Sequence, residues 1–257
     1  MKICLIIFIA YFICKRLDKL KNFWNGVVPI LFAFAPVLMF LLYQKHLSAM
    51  VISGVLLVIL LFIGGTKLIH LMIVGGAGIG AGIVYALGTG FRKERLMMFL
   101  DPWQDATDKG WQIIQSLYAI ATGGFFGAGL GQGVQKYMYI SEPQNDFIFA
   151  TWAEEMGLLG VLFVMALFVI FIWRGIKIAS NAQDLFGTLL AIGITSMVGI
   201  QAILNIAVVS ASIPVTGISL PFCSYGGTSI LVLLIGMGLL LSVSRFSKKK
   251  EVQEIEE

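Results

Sequence analysis

Residues Phe147 to Trp173 form a run of 27 residues whose only charges are Glu154 and Glu155. A bilayer core about 30 Å thick takes about 20 residues of helix, and a chain crossing it must satisfy every backbone polar group internally. Such a run therefore predicts a membrane-spanning helix. Similar apolar runs lie at Ile3–Cys14, Val27–Tyr43, Leu47–Ile63, Leu68–Leu87, Leu185 to about Val209, and Gly226–Val243. The composition agrees: 58% of residues are hydrophobic and 12% charged, against about 25% charged in a soluble domain. The net charge of +4 is carried by short basic clusters flanking apolar runs, the pattern of membrane orientation signals and not of a nucleic-acid surface.

The N-terminal run ends at Lys15 and Arg16 without a small-residue cleavage site, so it reads as a span and not a signal peptide. Its twelve residues cover only about 18 Å as helix. The expectation is that this span continues upstream in a longer protein, or is frayed and shallow. Cys4, Cys14 and Cys223 show no CxxC or histidine-associated spacing, and His46 and His70 sit at the ends of apolar runs. Neither a disulfide framework nor a metal site is indicated.

In Leu68–Leu87, Gly76, Gly78, Gly80 and Gly82 place small residues four apart, the spacing that lets helices pack closely. No nucleotide-binding glycine motif matches. Residues 88–146 form a loop of nearly sixty residues with charges at Arg92, Lys93, Glu94, Arg95, Asp101, Asp105, Asp108 and Lys109. A loop that long is usually functional or disordered. Within it Trp111–Leu130 is apolar, yet Gln112, Gln115, Ser116, Thr122 and four glycines argue for a surface or re-entrant helix. With that segment outside the bilayer, eleven of the eighteen basic residues fall on one side, the cytoplasmic one; if it crossed, the split would reverse to twelve against six. Segment polarity favours the first arrangement, with residues 88–146 extracellular and 247–257 a charged cytoplasmic tail. The expected fold is thus an all-α polytopic membrane protein of about seven transmembrane helices in a single membrane domain, residues 1–257.

Four features could carry chemistry. The segment Gly127–Lys136, GAGLGQGVQK, offers a flexible backbone able to approach a ligand, followed by the cation Lys136; a plain glycine turn explains it equally well. In Ser141–Asp146, Pro143 stiffens the approach to Asp146 at the start of a helix. There Asp146 is either a helix cap favoured by the dipole or a carboxylate able to accept a proton, and the two are compatible. Glu154 and Glu155 stand about two turns into an apolar helix, where charge marks function or a buried ion pair. Pro214–Ser229, PVTGISLPFCSYGGTS, makes a rigid turn suited to lining a polar cavity or binding an anion.

Together these motifs resemble the family of bacterial shape, elongation, division and sporulation proteins typified by FtsW, RodA and SpoVE. The resemblance runs through FLDPWQDATDKGWQIIQS (99–116), GAGLGQGVQKYMYISEPQNDFIFATWAEEMGLLG (127–160) and PVTGISLPFCSYGGTS (214–229). EPQNDFIF and WRGIKIA look most like the FtsW/SpoVE branch. The match places the chain's start at the family's fourth span, so that its helices correspond to spans 4 to 10. Three differences stand out: Lys45 where the family usually has proline, and Asn145 and Thr228 in place of Thr and Ser.

The resemblance implies an inner-membrane peptidoglycan glycosyltransferase that polymerises lipid II during cell division or spore cortex synthesis, partnered by a class B penicillin-binding protein and divisome-type membrane proteins. It implies Asp146 as the catalytic residue, with Lys136 and Glu142 in the same motif and Lys2 matching the lysine of an acidic-xx-lysine motif whose acidic member would precede Met1. Ser224, Gly226 and Gly227 would line the substrate cavity. No residue is assigned to a metal, and the cofactor stays open, a divalent cation (Mg2+ or Mn2+) being one candidate. Two alternatives stand beside the enzyme: a lipid II flippase, and a non-catalytic scaffold for the penicillin-binding protein.

Overall fold

The structure, a computed structural model, describes residues 1–44, 46–88, 99–106, 110–135, 137 and 144–256. Among them every regular element is helical. The helices are α1 (Lys2–Lys15), α2 (Val28–Tyr43), α3 (Leu47–Ile63), α4 (Leu68–Leu87), α5 (Trp111–Gly123), α6 (Ile148–Ser180), α7 (Leu185–Val209) and α8 (Gly227–Glu256). Short 3-10 turns lie at Leu17–Lys19 and Pro102–Asp105, and a π turn at Phe23–Val27 leads into α2. Each of the seven apolar runs is thus a helix. Four stretches, Phe23–Tyr43, Ile148–Ser180, Leu185–Val209 and Gly227–Phe246, are by themselves long and apolar enough to cross a bilayer. Helix α5 has 13 residues, about 20 Å of rise, and ends where Gly124 adopts φ 53°. That rise is less than the thickness of a bilayer core, about 30 Å.

The chain divides into two compact units, each drawn from separate segments of sequence. The first comprises Met1–Ala81, Phe171–Val198 and Leu231–Glu257. Its centre is α1, short but with Ile3, Leu5, Ile6, Ile9, Ala10 and Ile13 all buried. Glycines let its neighbours come close. A Cβ at Gly64 would lie 2.7 Å from the Ile13 side chain, one at Gly236 would lie 3.3 Å from Ile3, and one at Gly193 would collide with Ile6. Lipid is as apolar as leucine, so close packing of this kind, and not expulsion of water, holds such helices together. The glycine face of α4 behaves differently. Around Cβ positions built on Gly76, Gly78 and Gly80, no heavy atom lies within 4 Å among the described residues.

The second unit comprises Gly82–Ile170 and Gly199–Ile230. Ala119 of α5, Phe147, Phe149 and Ala150 at the start of α6, Ala202, Val208 and Val209 of α7, and Leu220 of the following loop form its core. Helix α7 ends at Val209, whose carbonyl has no partner within the helix; the buried Ser116 hydroxyl of α5 donates to it at 2.7 Å. Beyond it the chain turns through Ala211 at φ 52°. The N–H of Ser212 reaches back to the Ala207 carbonyl and that of Ala211 to Val208, the paired bonds of a Schellman ending.

Candidate active site

Asp146 lies in the second unit, in the turn Gln144–Phe147 that leads into α6. Helix α6 begins at Ile148, and the Phe147 carbonyl accepts its first bonds, from the N–H groups of Ala150 (3.0 Å) and Thr151 (3.3 Å). Phe147 therefore occupies the cap position, its side chain fully buried, and Asp146 stands one residue outside it. The turn is tied down on two sides. Asn205 of α7, 1% exposed, donates from one Nδ2 to the Asp146 carbonyl at 2.8 Å and to the Ile218 carbonyl at 2.7 Å. The N–H of Tyr225 donates to the Gln144 carbonyl at 2.8 Å. Backbone on both sides of the carboxylate is thus fixed to the loop 210–226.

That loop supplies the face opposite the carboxylate. Gly217 sits at φ 65°, and a Cβ built on it would lie 3.4 Å from Asp146 Oδ2. Gly217 thus packs closely against the half-buried carboxylate. Ser224 is buried, and its Oγ accepts the Leu220 N–H at 2.7 Å while its own N–H donates to the Leu220 carbonyl at 3.1 Å; it closes the loop on itself. The Gly226 carbonyl accepts the Ile230 N–H in the first turn of α8 at 2.9 Å, and Gly227 is the helix's first residue. The structure thus brings Asp146, Ser224, Gly226 and Gly227 into one unit through the Gln144–Tyr225 tie. Lys2 begins α1 in the first unit. Lys136 and Glu142 lie outside the described residues.

The two intramembrane acids answer to the glycine-rich segment. Glu154 is 3% exposed; its Oε1 accepts the Val134 N–H at 2.7 Å, and both its oxygens accept the Gln135 N–H at 3.2 Å. Glu155 Oε2 accepts the Gly131 N–H at 3.0 Å. Backbone donors, in place of the ion pair weighed as one reading, are the described partners of Glu154. The glycines serve the same contact. A Cβ at Gly127 would collide with the Glu155 carbonyl, and one at Gly133 would lie 2.9 Å from Glu154 Oε2. The close approach these glycines permit is to the protein's own helix.

Asn205 is the site residue that sequence reading missed. Its signal was a lone amide within Ala202-Ile203-Leu204-Asn205-Ile206, where a polar side chain needs a partner inside the protein. Among the described residues no group of three or more His, Cys, Asp or Glu comes together to hold a metal ion.

Residues 1–249 match the model of the cell cycle protein family of FtsW, RodA and SpoVE. Stage V sporulation protein E of Bacillus subtilis is 41% identical over 248 residues, covering 96% of this chain and 68% of the relative. A probable peptidoglycan glycosyltransferase FtsW of a Geobacter species (strain M18) is 43% identical over 246 residues, covering 95% and 66%. Among solved structures, one described as the structural coordination of polymerization and crosslinking by a peptidoglycan synthase complex superposes with a TM-score of 0.72 at 28% identity, over 92% of this chain and 68% of that one. The Thermus thermophilus rod shape determining protein RodA gives 0.59 at 25% identity, over 92% and 63%. The chain belongs to the FtsW/RodA/SpoVE family, in its FtsW/SpoVE branch, and is an integral membrane protein of helical, polytopic fold. It spans about two thirds of the length of the curated relatives it matches.

Proposed function

We propose that this chain carries the catalytic carboxylate of a peptidoglycan glycosyltransferase that polymerises lipid II, in division or in spore cortex synthesis, beside a class B penicillin-binding protein. The observation that carries the reading is the Asp146 junction. A half-buried carboxylate beside Gly217, with the backbone around it tied by Asn205 and by Tyr225, is held in place as a general base must be, since proton transfer requires hydrogen-bond reach to the hydroxyl concerned. An ordinary aspartate, with pKa about 3.9, is a weak base in water; the half-buried setting beside the core of the second unit reduces its solvation.

In this scheme Asp146 takes the proton of the acceptor sugar's hydroxyl as that oxygen bonds to the donor's anomeric carbon. The bond from that carbon to the diphosphate breaks, and undecaprenyl diphosphate departs with the electron pair. Lys136 contacts the diphosphate, and the loop 214–229 forms part of the cavity wall. The long loop and Asp146 then face outward and the C-terminus faces the cytoplasm. Labelled lipid II supplied to vesicles containing the protein tests the reading: glycan polymer is expected, whereas movement of the label across the bilayer without polymer would assign the protein to transport.

A further inference from the structure

The turn between α1 and α2, residues 15–25 of the first unit, opens Lys-Arg-Leu-Asp-Lys-Leu-Lys. The span Phe23–Tyr43 begins within it, so the turn lies at a membrane surface. It is tied down at several points. Leu20 is buried, a Cβ at Gly26 would collide with the Lys19 carbonyl, and the Arg16 guanidinium donates to the Asn25 carbonyl at 3.2 Å. Lys15 Nζ stands 5.8 Å from the centre of the Tyr11 ring, within range of a cation–π contact. Lys15, Arg16, Asp18 and Lys19 line a cavity of about 190 Å³, many times the space one water needs. Three cations against one carboxylate leave its wall with a net charge of +2.

Positive charge beside a span is enough to orient it. Orientation asks for no cavity and no aimed guanidinium, whereas an anion held at a fixed place asks for both. A guanidinium has five N–H donors, and its bond to Asn25 directs the group without exhausting them. Apolar side chains flank the cations: Tyr11 is 53% exposed, Leu17 45% and Trp24 77%. A free phosphate ion makes no use of that flank, but acyl chains do. We propose that the turn between α1 and α2 binds the phosphate of an anionic phospholipid, its acyl chains lying against Tyr11, Leu17 and Trp24. Basic pockets at the ends of membrane helices recognise lipid head groups by this combination of charge and depth. A zwitterionic lipid brings its own ammonium group, which the positive wall repels.

The test titrates the purified full chain, in micelles of an uncharged detergent, with phosphatidylglycerol, with phosphatidylcholine of the same acyl chains, and with inorganic phosphate. Native mass spectrometry counts the bound molecules, and thermal unfolding checks that each variant is folded. Phosphatidylglycerol should bind tightest, and Lys15→Gln, Arg16→Gln and Lys19→Gln should each weaken it by about fivefold, the contribution of one cation near an anionic lipid surface. Lys21→Gln removes the same charge from the same turn but not from the cavity wall, and should weaken binding much less. Asp18→Asn removes the one repelling charge and should tighten binding, a gain that misfolding cannot mimic. Equal binding of the two lipids, or a loss in Lys21→Gln as large as in Arg16→Gln, would reduce the turn to diffuse surface charge and overturn the proposal. Inorganic phosphate that displaces the lipid at equal affinity would overturn it in favour of a free anion.

Discussion

At position 205 an amide does what no apolar side chain could: one Nδ2 group satisfies two carbonyls from different parts of the chain, those of Asp146 and Ile218. Asn205→Leu preserves bulk but leaves both carbonyls without that donor, and a buried unsatisfied group costs about 1–3 kcal/mol. The variant is expected to lose about 2 kcal/mol of stability in detergent by thermal unfolding, and its turnover should fall more than its affinity for lipid II. Asp146 itself was legible in sequence as the carboxylate at the point where a polar loop meets a long apolar run. Its alternative role as helix cap was not settled there, because the choice between positions 146 and 147 depends on which carbonyl starts the ladder. Ala211 offers a simpler test. It holds a left-handed conformation that costs a residue with a Cβ about 1–2 kcal/mol, so Ala211→Gly should raise the unfolding midpoint, by up to about 1 kcal/mol of stability once glycine's greater unfolded-state entropy is counted.

Among the elements, the seven apolar runs became helices because length and hydropathy decide helix formation in a bilayer, although α6 and α8 run seven and thirteen residues past the ends expected at Trp173 and Val243. The break in α6 at Gly157 (φ 62°, ψ −163°), where the Glu154 and Glu155 carbonyls accept the N–H groups of Ala128 and Gly129, was not legible. Apolar residues continue straight through Met156-Gly157-Leu158-Leu159, and nothing local announces that the missing bonds are supplied by a segment some thirty residues upstream. Glycines therefore differ sharply in what they tolerate. Gly157→Ala would force a side chain into a conformation reserved for glycine and to within 2.7 Å of the Phe125 carbonyl, a loss of at least about 2 kcal/mol. Gly78→Ala on α4 meets no neighbour among the described residues and removes a helix-interior glycine, so it should be neutral or stabilising by up to about 1 kcal/mol. Parallel melts of the two purified variants check the contrast.

For the molecule as a whole, the fold class followed from composition, while sidedness rests on the basic clusters and on α5 staying out of the bilayer. In cells, with the native cysteines replaced by serine, Gln132→Cys should react with a membrane-impermeant maleimide from outside. Gln183→Cys, in the turn between α6 and α7, should react only after permeabilisation. The reverse pattern would invert the topology and put Asp146 on the wrong face for glycan synthesis. The site was only partly legible at this scale, since Gln144 and Tyr225 are 81 residues apart and only folding shows that they bond.

The central claim, that Asp146 is the base for glycosyl transfer, meets its most direct test in Asp146→Asn assayed for polymerisation of labelled lipid II. The substitution keeps size and leaves the backbone carbonyl held by Asn205. Polymer formation is predicted to fall by at least about a hundredfold, the scale of general-base catalysis, with thermal stability and lipid II binding retained. Glycan chains made at the wild-type rate by a folded Asp146→Asn protein would contradict it.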